Sequence, residues 1–298
     1  MSGRLHWERD GRDWPNRAFS RFVQAGRLRW HVQVMGEGPV VLLIHGTGAS
    51  THSFRALMPM LAPRFTVVAP DLPGHGFTDA PATGSGYALP SVARGVAALL
   101  DELALRPVVA AGHSAGAAVA LRMTLDGAMA PTAVVSLNGA LLPFPGMSNF
   151  FGHAARFLAS STVTATAFTM FAGSRTIERM MQSTGSSIDA EGMRLYARLA
   201  GNPGHVHAAL GLMANWDLHP LVRDLPRLAP HLVLVAGSRD RMVPPAEAYR
   251  VRAILPKAEL VLLRGLGHLA HEERPAEIAS LVQRMAPRET SDGRPDED

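Results

Sequence analysis

The chain has no cysteine among its 298 residues. This absence excludes disulfide bridges, a catalytic thiolate, and zinc or iron–sulfur sites held by cysteine. It fits a reducing compartment, and we expect a cytoplasmic protein. Residues 1–14 lack the apolar run of a secretory signal, so we expect no export.

Charged residues are scarce and dispersed. They make up 18% of the chain, and the formal net charge is only +4, with arginine supplying nearly all of the positive charge. Nucleic-acid binding would favour basic residues clustered on one face with aromatic residues between them. We therefore expect no nucleic-acid partner. The basic residues 4–29 and the acidic tail 289–298 are interpreted as solvated termini, and contact of the basic segment with anionic lipid stays open.

Two glycine-rich patterns that cradle phosphate are missing as well. The chain contains neither Gly-x-x-x-x-Gly-Lys nor Gly-x-Gly-x-x-Gly. The glycine-rich residues 45–48, His45-Gly-Thr-Gly48, therefore do not predict a nucleotide site. We expect no cofactor and no metal.

Residues 107–127 carry the strongest local pattern. The apolar residues 107–111 end in Gly112-His113-Ser114-Ala115-Gly116, and residues 117–125 then look helical. A Gly-x-Ser-x-Gly turn between a strand and a helix is typical of a nucleophile elbow, where flanking glycines avoid a collision of Cβ atoms with main chain. Ser114 is the candidate nucleophile, and the Ala115 N–H at the helix N-terminus is a candidate oxyanion donor. The pentapeptide also occurs in ordinary turns, so its support is this strand-turn-helix context.

Apolar runs alternate with helical patterns along most of the chain. Continuous apolar runs are typical of strands that helices cover on both faces. The predicted strands are residues 39–44, 65–69, 107–111, 131–137, 231–236 and 258–263, after a hairpin of residues 21–24 and 28–34. The pattern predicts an α/β protein with an eight-stranded, mostly parallel sheet flanked by helices, including amphipathic helices at 89–103 and 275–285.

The ends of the last two predicted strands supply partners for Ser114. A serine hydroxyl needs an imidazole base, and a carboxylate must hold that imidazole in the right tautomer. Asp240 follows the seventh strand and His268 the eighth. This gives the chain order Ser, Asp, His that accompanies a nucleophile elbow in an α/β sheet. His271 and Asp217 are weaker alternatives, because they do not directly follow a strand, where open α/β sheets place their ligands.

Three other strand ends carry polar residues. The loop after residues 39–44 is expected to supply the Thr47 N–H as a second oxyanion donor, with His45 orienting the loop. Asp71 and His75 lie in an Asp-x-Pro-Gly-x-Gly turn and are expected to fix that loop by hydrogen bonds. Asn138 follows the sixth strand, at a position where some hydrolases place the acid, so the acid is expected later in the chain.

Strand and helix alternation stops in residues 141–215, the cap segment. It is rich in Phe and Met, which predicts a helical cap with an adaptable apolar surface. Candidate substrate contacts are Phe144, Phe168, Met170 and Phe171, although such residues also pack a cap's own core. The 18 uncharged residues between Arg156 and Arg175 superficially resemble a membrane span, but their many Ser and Thr residues favour a helical hairpin over the site. Contact with a bilayer surface stays open. The expected division is core 1–140 and 216–287, cap 141–215, and a disordered acidic tail 288–298.

These motifs together resemble the α/β-hydrolases. One branch is more similar than the rest, the magnesium-chelatase accessory proteins of bacteriochlorophyll biosynthesis. The segments that carry this likeness are Trp14-Pro-Asn-Arg17, His45-Gly-Thr-Gly48, Asp71-Leu-Pro-Gly-His-Gly-Phe77, Gly112-His-Ser-Ala-Gly116, Asn138-Gly-Ala-Leu-Leu-Pro-Phe144 and Gly267-His-Leu-Ala-His-Glu-Glu273. The resemblance implies a role in or near magnesium insertion into protoporphyrin in a photosynthetic bacterium.

Two functional hypotheses follow. The first is a serine hydrolase that acts on an ester of a bulky apolar substrate, conceivably a tetrapyrrole. The second is a non-catalytic porphyrin-binding or carrier module that assists magnesium chelatase and contacts its subunits. The complete set of Ser114, Asp240 and His268 favours the first, because a pure binder needs no strained elbow with a base and its orienting acid.

Overall fold

The computed structural model describes residues 3–143, 169 and 174–287. Its centre is an eight-stranded sheet with the order β1-β2-β4-β3-β5-β6-β7-β8. The strands are β1 (Ser20–Ala25), β2 (Leu28–Met35), β3 (Val40–Ile44), β4 (Thr66–Pro70), β5 (Pro107–His113), β6 (Ala133–Leu137), β7 (His231–Gly237) and β8 (Glu259–Leu263). The strand β2 runs antiparallel to β1 and β4, and the other neighbours are parallel. The predicted mostly parallel sheet with a hairpin at one edge is confirmed.

Helices connect and cover the strands. Those whose bounds lie in the described residues are α1 (Trp7–Asp10), α2 (Leu57–Leu61), α3 (Leu89–Glu102), α4 (Ala115–Leu125), α5 (Ser174–Ser183), α6 (Ala190–Ala200), α7 (Pro203–Ala214), α8 (His219–Asp224), α9 (Pro245–Ile254), α10 (Ala270–Glu273) and α11 (Pro275–Met285). The three helices α5, α6 and α7 lie in the cap segment.

Side-chain caps fix where two of these cap-segment helices begin. The Asp189 carboxylate accepts from the Gly192 N–H (2.7 Å) at the start of α6. The Asn202 side chain accepts from the His205 N–H (2.9 Å) at the start of α7, directly before Pro203. Short polar side chains at this position satisfy amide groups that the first helical turn leaves unpaired.

Both faces of the sheet are buried in apolar layers. In β3, Leu42 and Ile44 point into a layer that contains residues of α3, α4 and α9. Their neighbours Val41 and Leu43 point to the opposite face, where α2 and α11 pack. Because successive side chains of a strand alternate between faces, a strand covered on both sides must be apolar throughout. This explains the continuous apolar runs of the sequence.

The basic N-terminal segment is packed against the core, so its interpretation as a solvated terminus was wrong. Arg4 pairs with Asp79 at 3.0 Å, and the Arg17 guanidinium lies 4.2 Å from the ring centre of Trp7. The Trp14 side chain is buried, and its Nε1–H donates to the Thr51 hydroxyl (3.0 Å). The aromatic residues of this segment supply apolar surface that can be buried, and its many charged residues do not indicate this. The tail 288–298 lies outside the described residues.

No helix in the described part of the chain is long and apolar enough to cross a membrane. The uncharged stretch between Arg156 and Arg175 lies almost entirely outside that part. The division into core 1–140 and 216–287 and cap 141–215 stays a proposal.

Candidate active site

The turn at Ser114 is strained, as the Gly-x-Ser-x-Gly pattern predicts. Ser114 has φ 51° and ψ −117°, a conformation that residues with a side chain rarely adopt. A Cβ on Gly112 would clash with the main chain of Gly116, and a Cβ on Gly116 would clash with the Ile44 carbonyl. The Ser114 N–H donates to the Leu137 carbonyl (2.9 Å). The elbow is therefore fixed at the carboxyl ends of β5 and β6, and Ser114 is partly exposed there.

Asp240 and His268, the predicted acid and base, are hydrogen-bonded to each other. The distance from His268 Nδ1 to Asp240 Oδ2 is 2.8 Å. The other oxygen, Asp240 Oδ1, accepts from the N–H groups of Met242 (2.8 Å) and Val243 (2.9 Å). Because an ionised carboxylate only accepts, His268 carries its proton on Nδ1 and keeps a free lone pair on Nε2. This is the tautomer that a general base needs.

His113 links the elbow to His268. Its Nε2–H donates to the His268 carbonyl at 2.9 Å, and the two imidazole rings lie 4.7 Å apart between centres. Since His113 directly precedes Ser114, this contact holds Ser114 and His268 at the same edge of the sheet. The His113 side chain is buried.

The predicted oxyanion donors lie on two segments that meet at Ser114. A Cβ built on Gly46 would lie 2.9 Å from the Ser114 Cβ, so the loop after β3 packs directly on the elbow. Ala115 is the first residue of α4, and Thr47 lies in the turn that the Ala49 N–H closes onto the Gly46 carbonyl (3.2 Å). Among the described residues, neither the Thr47 N–H nor the Ala115 N–H has a hydrogen-bond acceptor. Both amides are therefore available to a ligand.

Asn138 is a site residue that sequence reasoning did not assign. It lies at the end of β6 with φ 49°, and its Nδ2 donates to Asp240 Oδ2 at 2.8 Å. The same nitrogen approaches the Gly267 carbonyl at 3.3 Å. Asn138 thus binds the carboxylate oxygen that also binds His268, which limits the rotation of that carboxylate. In the sequence, the only signal for this role of Asn138 was its position directly after a strand.

Asp71 and His45 fix loops, as predicted. The Asp71 carboxylate is fully buried and accepts from Thr51 N–H (2.7 Å), Phe77 N–H (2.9 Å) and His31 Nδ1 (2.7 Å). Burial alone would raise the pKa of Asp71, but the charge and hydrogen bond of His31 hold this pKa well below its usual range. Within the described ranges, no group of three or more His, Asp or Glu residues is arranged to hold a metal ion.

The alternative acid and base are placed elsewhere. Asp217 is exposed and pairs with the exposed His219 at 2.8 Å. His271 is buried in α10 between Phe54 and His113, with ring-centre distances of 5.4 Å and 4.3 Å. Neither of its nitrogens has a hydrogen-bond partner among the described residues. Neither alternative occupies the position of an acid or base for Ser114.

A buried polar cluster joins the cap segment to the core beside His268. Glu272 is bonded to Arg55 and accepts from the Tyr196 hydroxyl (2.7 Å), and Arg55 also reaches Asp189 (2.7 Å). Tyr196 and Asp189 belong to α6 and its cap, whereas Glu272 belongs to α10. Burial raises the pKa of Glu272 to about 7, although Arg55 opposes that shift.

The predicted substrate contacts of the cap, Phe144, Phe168, Met170 and Phe171, lie outside the described residues. Other Met residues of the cap segment are described and form an apolar cluster with the core. That cluster includes Met181, Met193, Ile177, Tyr196, Ala49 and Leu269. Met181 and Met193 therefore pack the cap segment onto the loops that follow Thr47 and His268.

Comparison with known proteins shows the family of the chain. A family model described as alpha/beta hydrolase fold matches residues 39–275. The chain belongs to the α/β-hydrolase family. A crystal structure of an α/β-hydrolase fold protein from Burkholderia ambifaria matches with a TM-score of 0.72 at 23% identity, covering 89% of this chain and 99% of that one.

Two curated relatives within the family carry different names. The magnesium-chelatase 30 kDa subunit of Rhodobacter capsulatus is 40% identical over 274 residues, which is 91% of this chain and 95% of that protein. A pimeloyl-[acyl-carrier protein] methyl ester esterase of Xylella fastidiosa is 32% identical over 268 residues, 85% of this chain and 97% of that protein. The α/β-hydrolase membership and the hydrolase relatives support a hydrolase.

We predict that His271→Phe makes the fold less sensitive to acid. Burial lowers the pKa of His271 to about 3, whereas an unfolded chain titrates its histidine near 6.5. Between these values the unfolded state binds a proton that the folded state refuses, so the free energy of unfolding falls as pH falls, by up to about 1.4 kcal/mol per pH unit. Phenylalanine fits the aromatic surroundings and removes the pH-dependent contribution of His271 to the free energy of unfolding.

The measurement is urea unfolding at pH 7, 6, 5 and 4 for the wild type, His271→Phe and the exposed-site control His219→Phe. The wild type and the control should lose stability together, and His271→Phe should lose about 2 kcal/mol less between pH 6 and pH 4. Parallel curves for all three proteins would show that His271 is not held neutral in the folded state.

Proposed function

We propose that this α/β-hydrolase is a serine hydrolase that cleaves an ester or a similar acyl bond. The observation that carries the proposal is the 2.8 Å hydrogen bond from His268 Nδ1 to Asp240, at the sheet edge where the strained Ser114 lies. A merely structural serine turn has no need for a buried imidazole with a fixed tautomer and a free Nε2.

The proposed reaction follows from these positions. His268 Nε2 removes the proton of the Ser114 hydroxyl as Oγ attacks the acyl carbon, and Asp240 stabilises the imidazolium that forms. Charge develops on the former carbonyl oxygen, and the N–H groups of Thr47 and Ala115 donate to it, aided by the N-terminus of α4. His268 then returns the proton to the leaving group. In the second half of the reaction, His268 removes a proton from water as the water attacks the acyl carbon, and it returns that proton to Ser114 Oγ when the acid leaves.

The proposed substrate is large and apolar, and a tetrapyrrole ester is the specific candidate. Support comes from the Phe and Met content of the cap segment and from the relative named as a magnesium-chelatase subunit. Arg194 and Arg198 are poor candidates for binding the carboxylates of such a ligand, because both pair with Asp13 (Arg198 at 2.7 Å). The proposed setting is the cytoplasm, near magnesium insertion in bacteriochlorophyll biosynthesis.

A second candidate function is a non-catalytic porphyrin carrier that assists magnesium chelatase and contacts its subunits. The 40% identity to a chelatase subunit over 91% of the chain favours it. The carrier and the hydrolase share an apolar cap and differ in the use of Ser114. Peripheral contact with a membrane surface is compatible with both.

We predict that a fluorophosphonate probe labels Ser114, because the probe reacts with a serine that an adjacent base activates. Ser114→Ala should abolish labelling. Ser238 also follows a strand of the sheet, β7, but lies in no elbow, so Ser238→Ala serves as the control and should label like the wild type. Mass spectrometry of the labelled peptide is the measurement. Labelling that persists in Ser114→Ala rules out this nucleophile.

We predict that Asp240→Asn lowers turnover of a p-nitrophenyl ester by orders of magnitude without unfolding the protein. An amide in place of the carboxylate destroys the preference for the Nδ1–H tautomer of His268, and the same change costs about 10⁴-fold in a serine protease. Asp217→Asn is the control and should retain full turnover, since among the described residues that carboxylate binds only the exposed His219. The opposite result for the two variants would move the acid to Asp217.

We predict that protoporphyrin binds the Ser114→Ala variant saturably. Quenching of tryptophan fluorescence and the change in porphyrin absorbance measure this binding. Burial of a few hundred Å² of a planar apolar ligand yields several kcal/mol at roughly 25 cal/mol per Å², before the costs of association. Met170→Ser should weaken binding about tenfold, a loss of about 1.4 kcal/mol. Met60→Ser, at an exposed methionine outside the cap segment, should change nothing.

The outcome separates the two functions. Ester turnover without any porphyrin binding up to the solubility limit would remove the tetrapyrrole from the hydrolase proposal. Tight porphyrin binding by a wild type that neither labels nor turns over esters would favour the carrier.

A further inference from the structure

Two buried histidines flank Thr47 in the loop after β3. His45 Nδ1 donates to the Gly46 carbonyl (2.8 Å), and His45 Nε2 accepts from the Leu72 N–H (2.8 Å). His45 therefore fixes one carbonyl on the N-terminal side of Thr47 and ties it to the loop that follows β4. It is a residue of the core itself.

His205 makes the corresponding contacts on the other side of Thr47, but it belongs to α7 in the cap segment. Its Nδ1 accepts from the Gly76 N–H (3.1 Å), so its Nε2 carries the proton and donates to the Gly48 carbonyl (3.0 Å). His205 is 3% exposed. Burial lowers the pKa of His205 to about 4, so the imidazole is neutral near pH 7 and can accept at one nitrogen while donating at the other.

The hydrogen bonds of His45 and His205 act on the same short turn. They hold the carbonyls of Gly46 and Gly48, on either side of Thr47, and connect both to the residues 72–76 that follow β4. Gly48 has φ +75°, and no heavy atom of the described chain lies within 4 Å of its Cβ position. In the Gly48–Ala49 peptide, the Ala49 N–H is held by the Gly46 carbonyl (3.2 Å), and the hydrogen bond from His205 holds the Gly48 carbonyl.

We propose that His205 is a positioning residue for the Thr47 N–H, and that seating of α7 on the core completes the oxyanion hole. The inference rests on the proposed serine-hydrolase function and deepens it, because it makes the cap segment part of the catalytic geometry as well as a cover. His205 touches neither Ser114 nor the reacting atoms. It acts through Gly48.

Two substitutions separate the two hydrogen bonds of His205. The Oδ1 of an asparagine takes the place of Nδ1, so His205→Asn retains the acceptor for Gly76 and loses the donor to Gly48. The Nε2 of a glutamine takes the place of the imidazole Nε2, so His205→Gln retains the donor to Gly48. The matched control is His207→Asn, two residues along the same helix and partly exposed.

The test measures kcat and KM for a p-nitrophenyl ester and the inhibition constant of a trifluoromethyl ketone, whose adduct with serine carries an oxyanion. Loss of an oxyanion donor costs about 10²- to 10³-fold in kcat, so a displaced donor should cost about 10- to 100-fold in His205→Asn, with KM within about twofold. Inhibitor affinity should fall in proportion to kcat/KM. His205→Gln and His207→Asn should stay within about threefold of the wild type.

The outcomes are distinguishable. An active wild type with unchanged kcat in His205→Asn, or a change confined to KM, overturns the positioning role alone. A wild type that turns over no ester and takes no fluorophosphonate overturns the proposed function and this inference with it. If His205→Asn unfolds, His205→Gln decides: a folded glutamine variant with a kcat reduced 10-fold or more, despite the retained donor, overturns the role of the Gly48 bond.

Discussion

The buried carboxylate of Asp71 holds together the loops on which the candidate active site depends. A carboxylate without partners would be too costly to bury, so its three hydrogen bonds determine whether this region folds. Those bonds come from His31 in β2, from Thr51 after the loop of Thr47, and from Phe77 after the following strand. One charge therefore joins β2 to the two loops, after β3 and after β4, that His45 and His205 also hold. Sequence distances of 40, 20 and 6 residues separate Asp71 from these partners.

Two neighbouring strands each end in a non-glycine residue with a strained backbone. Ser114 follows β5 with φ 51°, and Asn138 follows β6 with φ 49°. Each is held by a main-chain bond to the next strand across: Ser114 N–H to Leu137, and Asn138 N–H to Val235 (2.8 Å). Such conformations persist only where the surroundings over-determine them. The parallel sheet provides that restraint, and it brings the two side chains to the edge where Asp240 and His268 lie.

The fold was predictable because its signal is local. Apolar runs marked β3 to β8 to within two residues at each end, and the candidate acid and base were found because each follows a strand. The contacts of Asn138 with Asp240 and of His205 with Gly48 were not predictable, since they join residues 102 and 157 positions apart. The packing of the basic N-terminal segment was missed for the same reason: its partners, such as Asp79, come from distant loops.

The cap segment is docked by polar as well as apolar contacts, and the polar ones bear on how the candidate site is assembled. His205 reaches Gly48 in the loop after β3, and Tyr196 reaches Glu272 in α10. A buried ion pair such as that of Glu272 with Arg55 adds little net stability, because desolvation offsets the attraction. Removal of one partner is nevertheless costly, so such a pair favours one docked geometry over its near neighbours. Apolar packing by methionine tolerates small shifts, whereas these directional bonds do not. Among the described residues, the cap segment is therefore held most strictly at the loop of Thr47 and at the helix that follows His268, where the position of an N–H or an imidazole would matter for acyl transfer.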